Sequence, residues 1–547
     1  MGFRDKVVYQ VYPKSFCDSN HDGWGDLKGI ISKLDYLEKL GIDYIWINPV
    51  FISPQKDNGY DVADYRRIDP RYGTMQDLEE LCEAARNHNI DIMLDMVFNH
   101  TSTDHEWFQK ALAGDEKYRK YYFFRKPSEN GGAPNNWQSK FGGSAWQYVD
   151  ELNEYYLHLF DPGQADLDWT NPDVREECAD IVRFWMGKGV RGFRFDVINL
   201  ISKAGFDDDP NEFDGRQFYT DGPHVHEYLK ELNENSFGRD SFCMTVGEMS
   251  STTIDNCIRY SGSESHELTS VFTFHHLKVD YKNQKKWELQ PFDFKELKRL
   301  LALWQTEMQV KDAWNANFWN NHDQPRALSR FGDDKNYPAE SGKMLATVIH
   351  MMRGTPYIFE GEEIGMTNAY FTDIRQYKDV ESINIYDILK KEGKDEQEIL
   401  HILNERSRDN ARTPMQWDDS PNAGFTDGIP WISVNENYRS VNAEKALKEP
   451  DSLFYHYQKL IRLRKQYPVI QSGLFRHILE DHDSVYAFMR TLDDTSLICV
   501  NNFYGKETEI SLDDIDGYRI LISSYKDTEP RNHMILRPYE SFVMIRG

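Results

Sequence analysis

Residues 189–199 read Gly-Val-Arg-Gly-Phe-Arg-Phe-Asp-Val-Ile-Asn, the pattern of a buried strand that ends in charged residues. Arg194 and Asp196 lie two positions apart, so on an extended chain both side chains leave the same face. A core strand tolerates two charges when they form a structural ion pair or when they take part in chemistry. The stretch alone leaves both interpretations open. Further carboxylates that follow predicted strands downstream favour chemistry.

Strands and helices alternate on both sides of this stretch. Residues 7–16, 42–50 and 90–98 are predicted strands, and residues 27–40 and 78–88 are predicted amphipathic helices. This alternation indicates a parallel sheet built from βα units, with enough units to close an eight-stranded barrel. In such a barrel the functional site lies at the C-terminal ends of the strands. The sequence therefore predicts an α/β fold with a (β/α)8 TIM barrel.

The rhythm breaks in two places, which predicts three domains. Residues 101–170 are polar and aromatic without a clear helix period, and they are too long for a simple loop. After about residue 470 the pattern changes to short β-rich runs separated by turn residues. We therefore predict a barrel formed by residues 1–100 and 171–470, an insertion at 101–170 after the third strand, and a C-terminal β domain at 471–547.

Composition excludes several classes of partner. The chain has 64 Lys and Arg against 90 Asp and Glu, a formal net charge of −26, which argues against nucleic acid and anionic membranes. No run approaches 18 apolar residues, and the six cysteines are scattered without metal-ligand spacing. We expect a cytoplasmic monomer that acts on a small molecule.

A loop near the N-terminus has the spacing of a cation site. Oxygen-bearing side chains alternate through residues 18–26 beside two glycines, as in the first half of an EF-hand loop, although the distal glutamate is missing. The predicted ligand residues of a structural Ca²⁺ or Mg²⁺ are Asp18, Asn20, Asp22, Trp24 and Asp26. The alternative is an ordinary polar turn in which Asp26 caps the next helix. We expect no catalytic cofactor.

Six ordered motifs together resemble glycoside hydrolase family 13, the α-amylase superfamily. They lie at residues 95–100, 164–169, 192–196, 246–248, 321–323 and 354–357. The resemblance implies a TIM barrel with an inserted B domain and a C-terminal antiparallel β-sandwich. Residues 164–169 and 408–417 resemble the oligo-1,6-glucosidase branch, whose members remove one glucose from a non-reducing end.

The resemblance also implies catalytic roles for three acids. Asp196 matches the nucleophile, Glu248 the general acid/base, and Asp323 the acid that binds the sugar 2- and 3-hydroxyls. Arg194 should keep Asp196 ionised, and neighbouring carboxylates should raise the pKa of Glu248.

Further residues are candidates for the sugar pocket. His100 and His322 would donate to sugar hydroxyls, although a histidine can also be purely structural. Asp61 would pair with Arg412, or with Arg408, to close the pocket. Tyr60 and Phe160 are candidate stacking platforms or plain core aromatics.

Four stretches resemble the branch members that hydrolyse trehalose-6-phosphate, at residues 197–203, 218–223, 247–252 and 274–280. Lys278 stands where other branch members usually carry an acid. Lys278 and Lys286 are the predicted phosphate pair, with Lys282 and Lys285 as lesser candidates, and a solvated lysine cluster is the alternative. We expect a retaining exo-α-glucosidase that releases glucose and glucose-6-phosphate. The alternatives are an oligo-1,6-glucosidase or dextran glucosidase, and a non-catalytic barrel protein, which the three retained acids disfavour.

Overall fold

The computed structural model describes residues 2–211 and 214–547. The chain forms two compact units. We call the unit formed by Met1–Ile45, Ala84–Ile90 and His275–Gly547 the terminal unit. The unit formed by Trp46–Glu83 and Asp91–Phe274 is the central unit. The predicted domain boundaries at residues 100, 170 and 470 stay predictions.

The strands are numbered in chain order. They are β1 Val8–Val11, β2 Tyr44–Ile47, β3 Phe51–Ile52, β4 Asp64–Ile68, β5 Asp91–Met96, β6 His100–Ser102, β7 Phe124–Arg125, β8 Trp146–Val149, β9 Glu154–Leu157, β10 Gln164–Asp166, β11 Gly192–Phe195, β12 Met244–Met249, β13 Ser270–Thr273, β14 Ala316–Asn317, β15 Thr355–Phe359, β16 Leu474–Ile478, β17 Val485–Leu492, β18 Thr495–Asn502, β19 Thr508–Ser511, β20 Arg519–Ser523, β21 His533–Leu536 and β22 Ser541–Arg546.

The α-helices are also numbered in chain order. They are α1 Pro13–Phe16, α2 Leu27–Ile31, α3 Leu34–Leu40, α4 Met75–Asn87, α5 Glu106–Leu112, α6 Glu116–Arg119, α7 Pro172–Gly187, α8 Arg216–Tyr219, α9 Val225–Asn235, α10 Ile254–Ser261, α11 Phe294–Val310, α12 Ala327–Phe331, α13 Pro338–Met351, α14 Val380–Lys391, α15 Glu396–Arg406, α16 Asp409–Arg412, α17 Ala443–Lys448, α18 Leu453–Gln466 and α19 Pro468–Ser472. Within the described ranges, no helix is both long and apolar enough to cross a membrane.

Eight strands form one sheet in the order β13-β12-β11-β5-β2-β1-β15-β14, which is the strand set of a (β/α)8 barrel. The division between the two units runs within β2. In the central unit β5, β11, β12 and β13 pair in parallel, and in the terminal unit β1, β15 and β14 do so. All four residues of β11 are buried, as the apolar pattern predicted. The predicted α/β fold class is confirmed.

The insertion and the C-terminal region are built from antiparallel pairs. In the central unit β6 pairs with β10, and β9 lies between β7 and β8. In the terminal unit a five-stranded sheet has the order β16-β17-β18-β22-β20, and β19 pairs with β21. Buried residues of both C-terminal sheets, among them Val500, Ile510, Leu536 and Phe542, form one apolar cluster. The predicted C-terminal antiparallel β domain is therefore confirmed.

Three local predictions differ from the structure. The strand predicted at residues 7–16 ends at Val11, because Pro13 begins α1 and its fixed φ suits a first helical turn. The helix predicted at 27–40 is two helices, α2 and α3, although Gly41 ends the second in the left-handed region (φ 97°) as expected. The pattern did not predict β13, and the lysine run that begins at Lys278 follows this sixth strand of the barrel set.

Candidate active site

Arg194 lies at the centre of three carboxylates in the central unit. Its Nη1 donates to Asp95 Oδ1 (2.7 Å) and Asp196 Oδ1 (2.5 Å), and its Nη2 donates to Glu248 Oε2. β11 lies between β5 and β12, and this order brings three separate sequence motifs to one guanidinium. The contact between Arg194 and Asp196, predicted from their spacing, is present.

The three carboxylates outnumber the single buried cation. Burial raises the pKa of Asp95 to about 7, although Arg194 opposes the rise. Burial disfavours the charged form of Arg194, yet Asp95 and Glu248 hold the pKa of its guanidinium well above the ordinary value. An excess of buried carboxylates over cations favours the neutral form of one of them, which agrees with the raised pKa of Asp95.

Tyr60 is connected to this cluster through its hydroxyl group. The hydroxyl donates to Asp95 Oδ2 (2.8 Å) and accepts a hydrogen bond from Asn48 Nδ2 (2.6 Å). Its ring centroid lies 5.7 Å from the guanidinium carbon of Arg194, within the range of a cation–π interaction. Trp46 Nε1 also donates to Asp95 Oδ2 (3.1 Å). The predicted stacking platform therefore has a fixed orientation, and its contact with sugar stays a prediction.

His100 and Phe160 lie next to each other in the same unit, with ring centroids 5.1 Å apart. His100 Nε2 is 3.1 Å from the backbone oxygen of Tyr60, and burial lowers the pKa of the imidazole. The Tyr60 oxygen can only accept, so Nε2 carries the proton of the neutral imidazole, and the bond from His100 to a sugar hydroxyl stays a prediction.

Asp61 is buried and held by its own loop. Its carboxylate accepts hydrogen bonds from Ser53 Oγ (2.8 Å), Lys56 N (2.8 Å) and Asp57 N (3.3 Å), while burial raises its pKa. Asp57, which the sequence analysis passed over, accepts from Gln164 Nε2 (3.1 Å). Gln164 Nε2 also lies 3.2 Å from His100 Nε2, so Asp57 belongs to the same group of side chains. The pairing of Asp61 with Arg412 or with Arg408 stays a prediction.

A buried lysine that the sequence analysis did not single out fastens the insertion. Lys203 Nζ lies 2.7 Å from Asp166 Oδ2 and donates to Asn99 Oδ1 (2.8 Å). Asp166 ends β10 and also accepts from Leu159 N (2.9 Å). The sequence signal that could have identified Lys203 is the largely apolar stretch 197–202 that precedes it. A lysine that is buried with such a stretch needs an ionic partner.

In the terminal unit, Asp323 is held by two arginines. Arg412 Nη2 donates to Asp323 Oδ1 (2.7 Å), and Arg408 Nη1 donates to the same oxygen (3.2 Å). Both arginines also contact Asp379, which is buried; burial disfavours its charge, but the two guanidinium groups hold its pKa below the ordinary value. His322 Nε2 lies 3.2 Å from Asp323 Oδ2. Asp323 retains 28% side-chain exposure, which suits an acid that binds a ligand.

The predicted phosphate lysines differ in their surroundings. Lys278 is half-buried, whereas Lys282 and Lys285 are exposed. Lys286 Nζ donates to Glu381 Oε2 (2.5 Å), a partner 95 residues away in sequence. Lys285 pairs with Glu288 (2.9 Å). Their role in binding phosphate stays a prediction.

The loop at residues 18–26 has a regular backbone pattern. The Asn20, Asp22 and Trp24 amides donate to the side chains two residues earlier at 2.9, 3.0 and 2.8 Å. Asp26 caps α2 by accepting from Gly29 N (2.7 Å), as the alternative interpretation predicted. Within the described part of the chain, the acids of this loop are not among the His, Cys, Asp and Glu groups whose ligand atoms lie within 4.8 Å of one another. The binding of a cation to this loop stays a prediction.

Known proteins match the whole chain. The family description "Alpha amylase, catalytic domain" matches residues 10–473, and "Alpha-amylase SusG C-terminal domain" matches residues 485–543. The trehalose-6-phosphate hydrolase of Bacillus subtilis is 53% identical over 99% of this chain and 97% of its own length. The oligo-1,6-glucosidase of Parageobacillus thermoglucosidasius is 47% identical over 99% and 98%. The crystal structure of Bacillus licheniformis trehalose-6-phosphate hydrolase has a TM-score of 0.95 at 54% identity, covering 99% of both chains. These matches, together with the carboxylates around Arg194, show that the chain belongs to the α-amylase family of glycoside hydrolases.

Proposed function

We propose that the chain is a retaining, exo-acting α-glucosidase that hydrolyses trehalose-6-phosphate to glucose and glucose-6-phosphate. The observation that carries the chemistry is the guanidinium of Arg194, which holds Asp196 and Glu248 at adjacent strand ends. Relatives that are named for this substrate and match the full chain support the substrate class. A cytoplasmic monomer remains part of the proposal, and gel filtration checks the oligomeric state.

In the first half of the reaction the glycosidic bond breaks. Glu248, in its protonated form, donates a proton to the glycosidic oxygen as the bond to C1 breaks. The carboxylate of Asp196 attacks C1 from the opposite face and forms a glycosyl ester. Glucose-6-phosphate leaves with the glycosidic oxygen as its hydroxyl group. The Arg194 guanidinium donates a hydrogen bond to Asp196 Oδ1 and orients the carboxylate for this attack.

In the second half of the reaction, water hydrolyses the glycosyl ester between C1 and Asp196. Glu248 is now a carboxylate and takes a proton from water, and the water oxygen attacks C1. The ester bond breaks, Asp196 regains its carboxylate, and glucose leaves with its configuration retained. Two inversions at C1 give net retention. The mechanism calls for the two carboxyl groups to stand about 5–5.5 Å apart.

Asp323 and the two histidines would bind the glucose that is transferred. Asp323 would accept hydrogen bonds from the 2- and 3-hydroxyls, and these bonds would strengthen as positive charge develops at the ring. Its two arginine partners keep its carboxylate oriented. His100 and His322 would add donors to neighbouring hydroxyls.

The phosphate of the leaving group would be bound by Lys278 and Lys286. Lys286 already contacts a carboxylate, Glu381, so a phosphate would compete with that pair or join it. A dianionic substrate meets a chain of net charge −26, and a local pair of lysines would offset the repulsion. This assignment rests on residue type and position.

A structural Ca²⁺ or Mg²⁺ at residues 18–26 is also proposed. The ligands would be the oxygens of Asp18, Asn20, Asp22 and Asp26 with the backbone of Trp24. The three regular turns of this loop support the proposal, since they set oxygen atoms at alternate positions. The cation would stabilise the loop and take no part in the chemistry.

A comparison of three substrates tests the function. The purified chain is given trehalose-6-phosphate, trehalose and isomaltose in parallel, and free glucose and glucose-6-phosphate are followed. We expect kcat/KM to be highest for trehalose-6-phosphate, with equal amounts of both products. A preference for isomaltose would overturn the phosphate assignment and favour an oligo-1,6-glucosidase, the activity for which several relatives are named.

A further inference from the structure

Asn199 connects the segments that follow the two proposed catalytic acids. It lies three residues after Asp196, and its side chain binds the backbone of Ser250, two residues after Glu248. Asn199 Nδ2 donates to the Ser250 carbonyl oxygen (2.9 Å), and Asn199 Oδ1 accepts from the Ser250 amide (2.9 Å). Two hydrogen bonds to one residue fix orientation as well as distance. The amide is fully buried, so water does not compete for these bonds.

The turn between Asp196 and Asn199 is strained and needs such a support. Val197 has φ 35° and ψ 39°, a left-handed conformation that β-branched residues rarely adopt. Its backbone amide lies 3.3 Å from Glu248 Oε2. The amide of Asp196 donates to the Met96 carbonyl oxygen on β5 (2.9 Å). The strained turn therefore places a donor beside Glu248 immediately after Asp196.

A second layer of hydrogen bonds holds Asn199 itself. Its Nδ2 also donates to Asp221 Oδ1 (3.1 Å), and its backbone oxygen accepts from the Asp221 amide (2.9 Å). The carboxylate of Asp221 further accepts from Thr252 Oγ1 (2.8 Å), Asn256 Nδ2 (2.9 Å) and Tyr260 hydroxyl (2.6 Å). These donors come from the segment after β12 and from α10. Both sides of the Asn199 contact are thus anchored to one carboxylate.

We propose that Asn199 is a positioning residue that fixes the carboxyl group of Glu248 relative to Asp196. This inference rests on the proposed function, in which Glu248 protonates the leaving group. Retaining hydrolysis depends on the separation of the two carboxyl groups, and small displacements of reacting groups cost large factors in rate. Asn199 acts through the backbone on either side and does not touch the substrate.

The test compares two substrates and two variants. Asn199→Ala removes both bonds to Ser250, while Ser250→Ala keeps them because they involve only the Ser250 backbone. With trehalose-6-phosphate we expect Asn199→Ala to lower kcat about ten- to a hundredfold with KM within about twofold. In the first step with 2,4-dinitrophenyl α-glucoside, whose leaving group needs no protonation, we expect a loss below about threefold in the rate of the pre-steady-state burst. Ser250→Ala should match the wild type with both substrates.

Equal losses with both substrates would overturn the inference, since a general loosening of the fold would not distinguish leaving groups. Wild-type kcat of Asn199→Ala would overturn it as well. If Asn199→Ala does not fold, Asn256→Ala removes one donor to Asp221 and should show the same leaving-group pattern at a smaller size. Failure of the proposed function is separate, because it would appear in the wild type as absent turnover of trehalose-6-phosphate.

Discussion

Two groups of charged side chains in this chain differ in the ratio of carboxylates to guanidinium groups. In the central unit one guanidinium, Arg194, contacts three carboxylates. In the terminal unit two guanidinium groups, Arg408 and Arg412, contact Asp323 and Asp379.

The pKa shifts follow this difference: burial raises the pKa of Asp95 to about 7 in the first group, whereas two cations outweigh burial and lower the pKa of Asp379 in the second. An excess of carboxylates over cations favours the neutral form of Asp95, and equal numbers of both favour the charged form of Asp379. The first arrangement suits acid–base chemistry, and the second suits the binding of neutral hydroxyls.

The sharpest way to break this comparison is to remove the nucleophile from the first group. Asp196→Asn should lower kcat on the order of 10⁴-fold, because an amide cannot form the glycosyl ester. The fold should persist, since the amide is isosteric and Arg194 retains Asp95 and Glu248 as partners. Steady-state hydrolysis together with circular dichroism measures both effects. Activity near that of the wild type in a folded variant would refute the assignment.

Removal of the acid tests the proton that this group is expected to hold. Glu248→Gln should lower kcat for trehalose-6-phosphate by about 10²–10⁴-fold, the usual range for a general acid. The loss in the first step should be much smaller for dinitrophenyl glucoside, whose leaving group needs no proton. A pre-steady-state burst with that substrate would report slow hydrolysis of the ester. Equal losses with both substrates in the rate of the first step would show that Glu248 is not the acid.

The second group can be tested through stability. Arg412→Ala should lower the free energy of unfolding by about 3–5 kcal/mol at pH 7, because buried carboxylates lose a partner. The pKa of Asp379 is lowered in the fold, so its stabilisation is present above about pH 4 and is lost as the pH falls through the folded pKa. The gap between variant and wild type should therefore narrow below about pH 4.

Urea unfolding at a series of pH values measures this gap. Arg375→Ala is the matched control, because Arg375 forms an exposed ion pair with Asp373. Its removal should leave the free energy of unfolding unchanged within error. A gap that stays constant with pH would show that Arg412 contributes packing and not charge.

A smaller effect is expected at Lys278, which belongs to neither of the two charged groups and is the proposed contact of the substrate phosphate. Lys278→Ala should raise KM for trehalose-6-phosphate about ten- to a hundredfold, if the contact with phosphate is worth about 1.5–3 kcal/mol. Hydrolysis of an uncharged nitrophenyl glucoside should change little. Lys311→Ala, which changes an exposed lysine outside this run, serves as the control. Similar losses on both substrates would argue against a phosphate contact.

The smallest effect concerns the proposed cation. Chelation with EDTA should lower Tm by about 2–4 °C, as expected for loss of a modest binding energy in a chain of this size. The initial rate below that temperature should not change. In Asp22→Ala the chelator should have no further effect. If the Tm of the wild type changes neither with EDTA nor with added Ca²⁺ or Mg²⁺, residues 18–26 form only a turn.

Part of this protein follows from the sequence by itself. The apolar run with Arg194 and Asp196 predicted a buried strand with charges at its end, and the alternation of strands and helices predicted the barrel. Both signals are local, because side-chain periodicity and burial are properties of a single element. The capping role of Asp26 was also local, and the structure shows the Gly29 amide donating to its side chain.

Only the tertiary structure decided how the side chains are paired. Asp61 accepts hydrogen bonds from its own loop. Lys286 pairs with Glu381, and Lys203 pairs with Asp166. The pairing of Asn199 with Ser250 spans 51 residues, and no spacing rule connects them. Residues far apart in sequence meet only after the chain has packed, so hydrogen-bond partners and pKa shifts depend on the assembled fold, which no single stretch encodes.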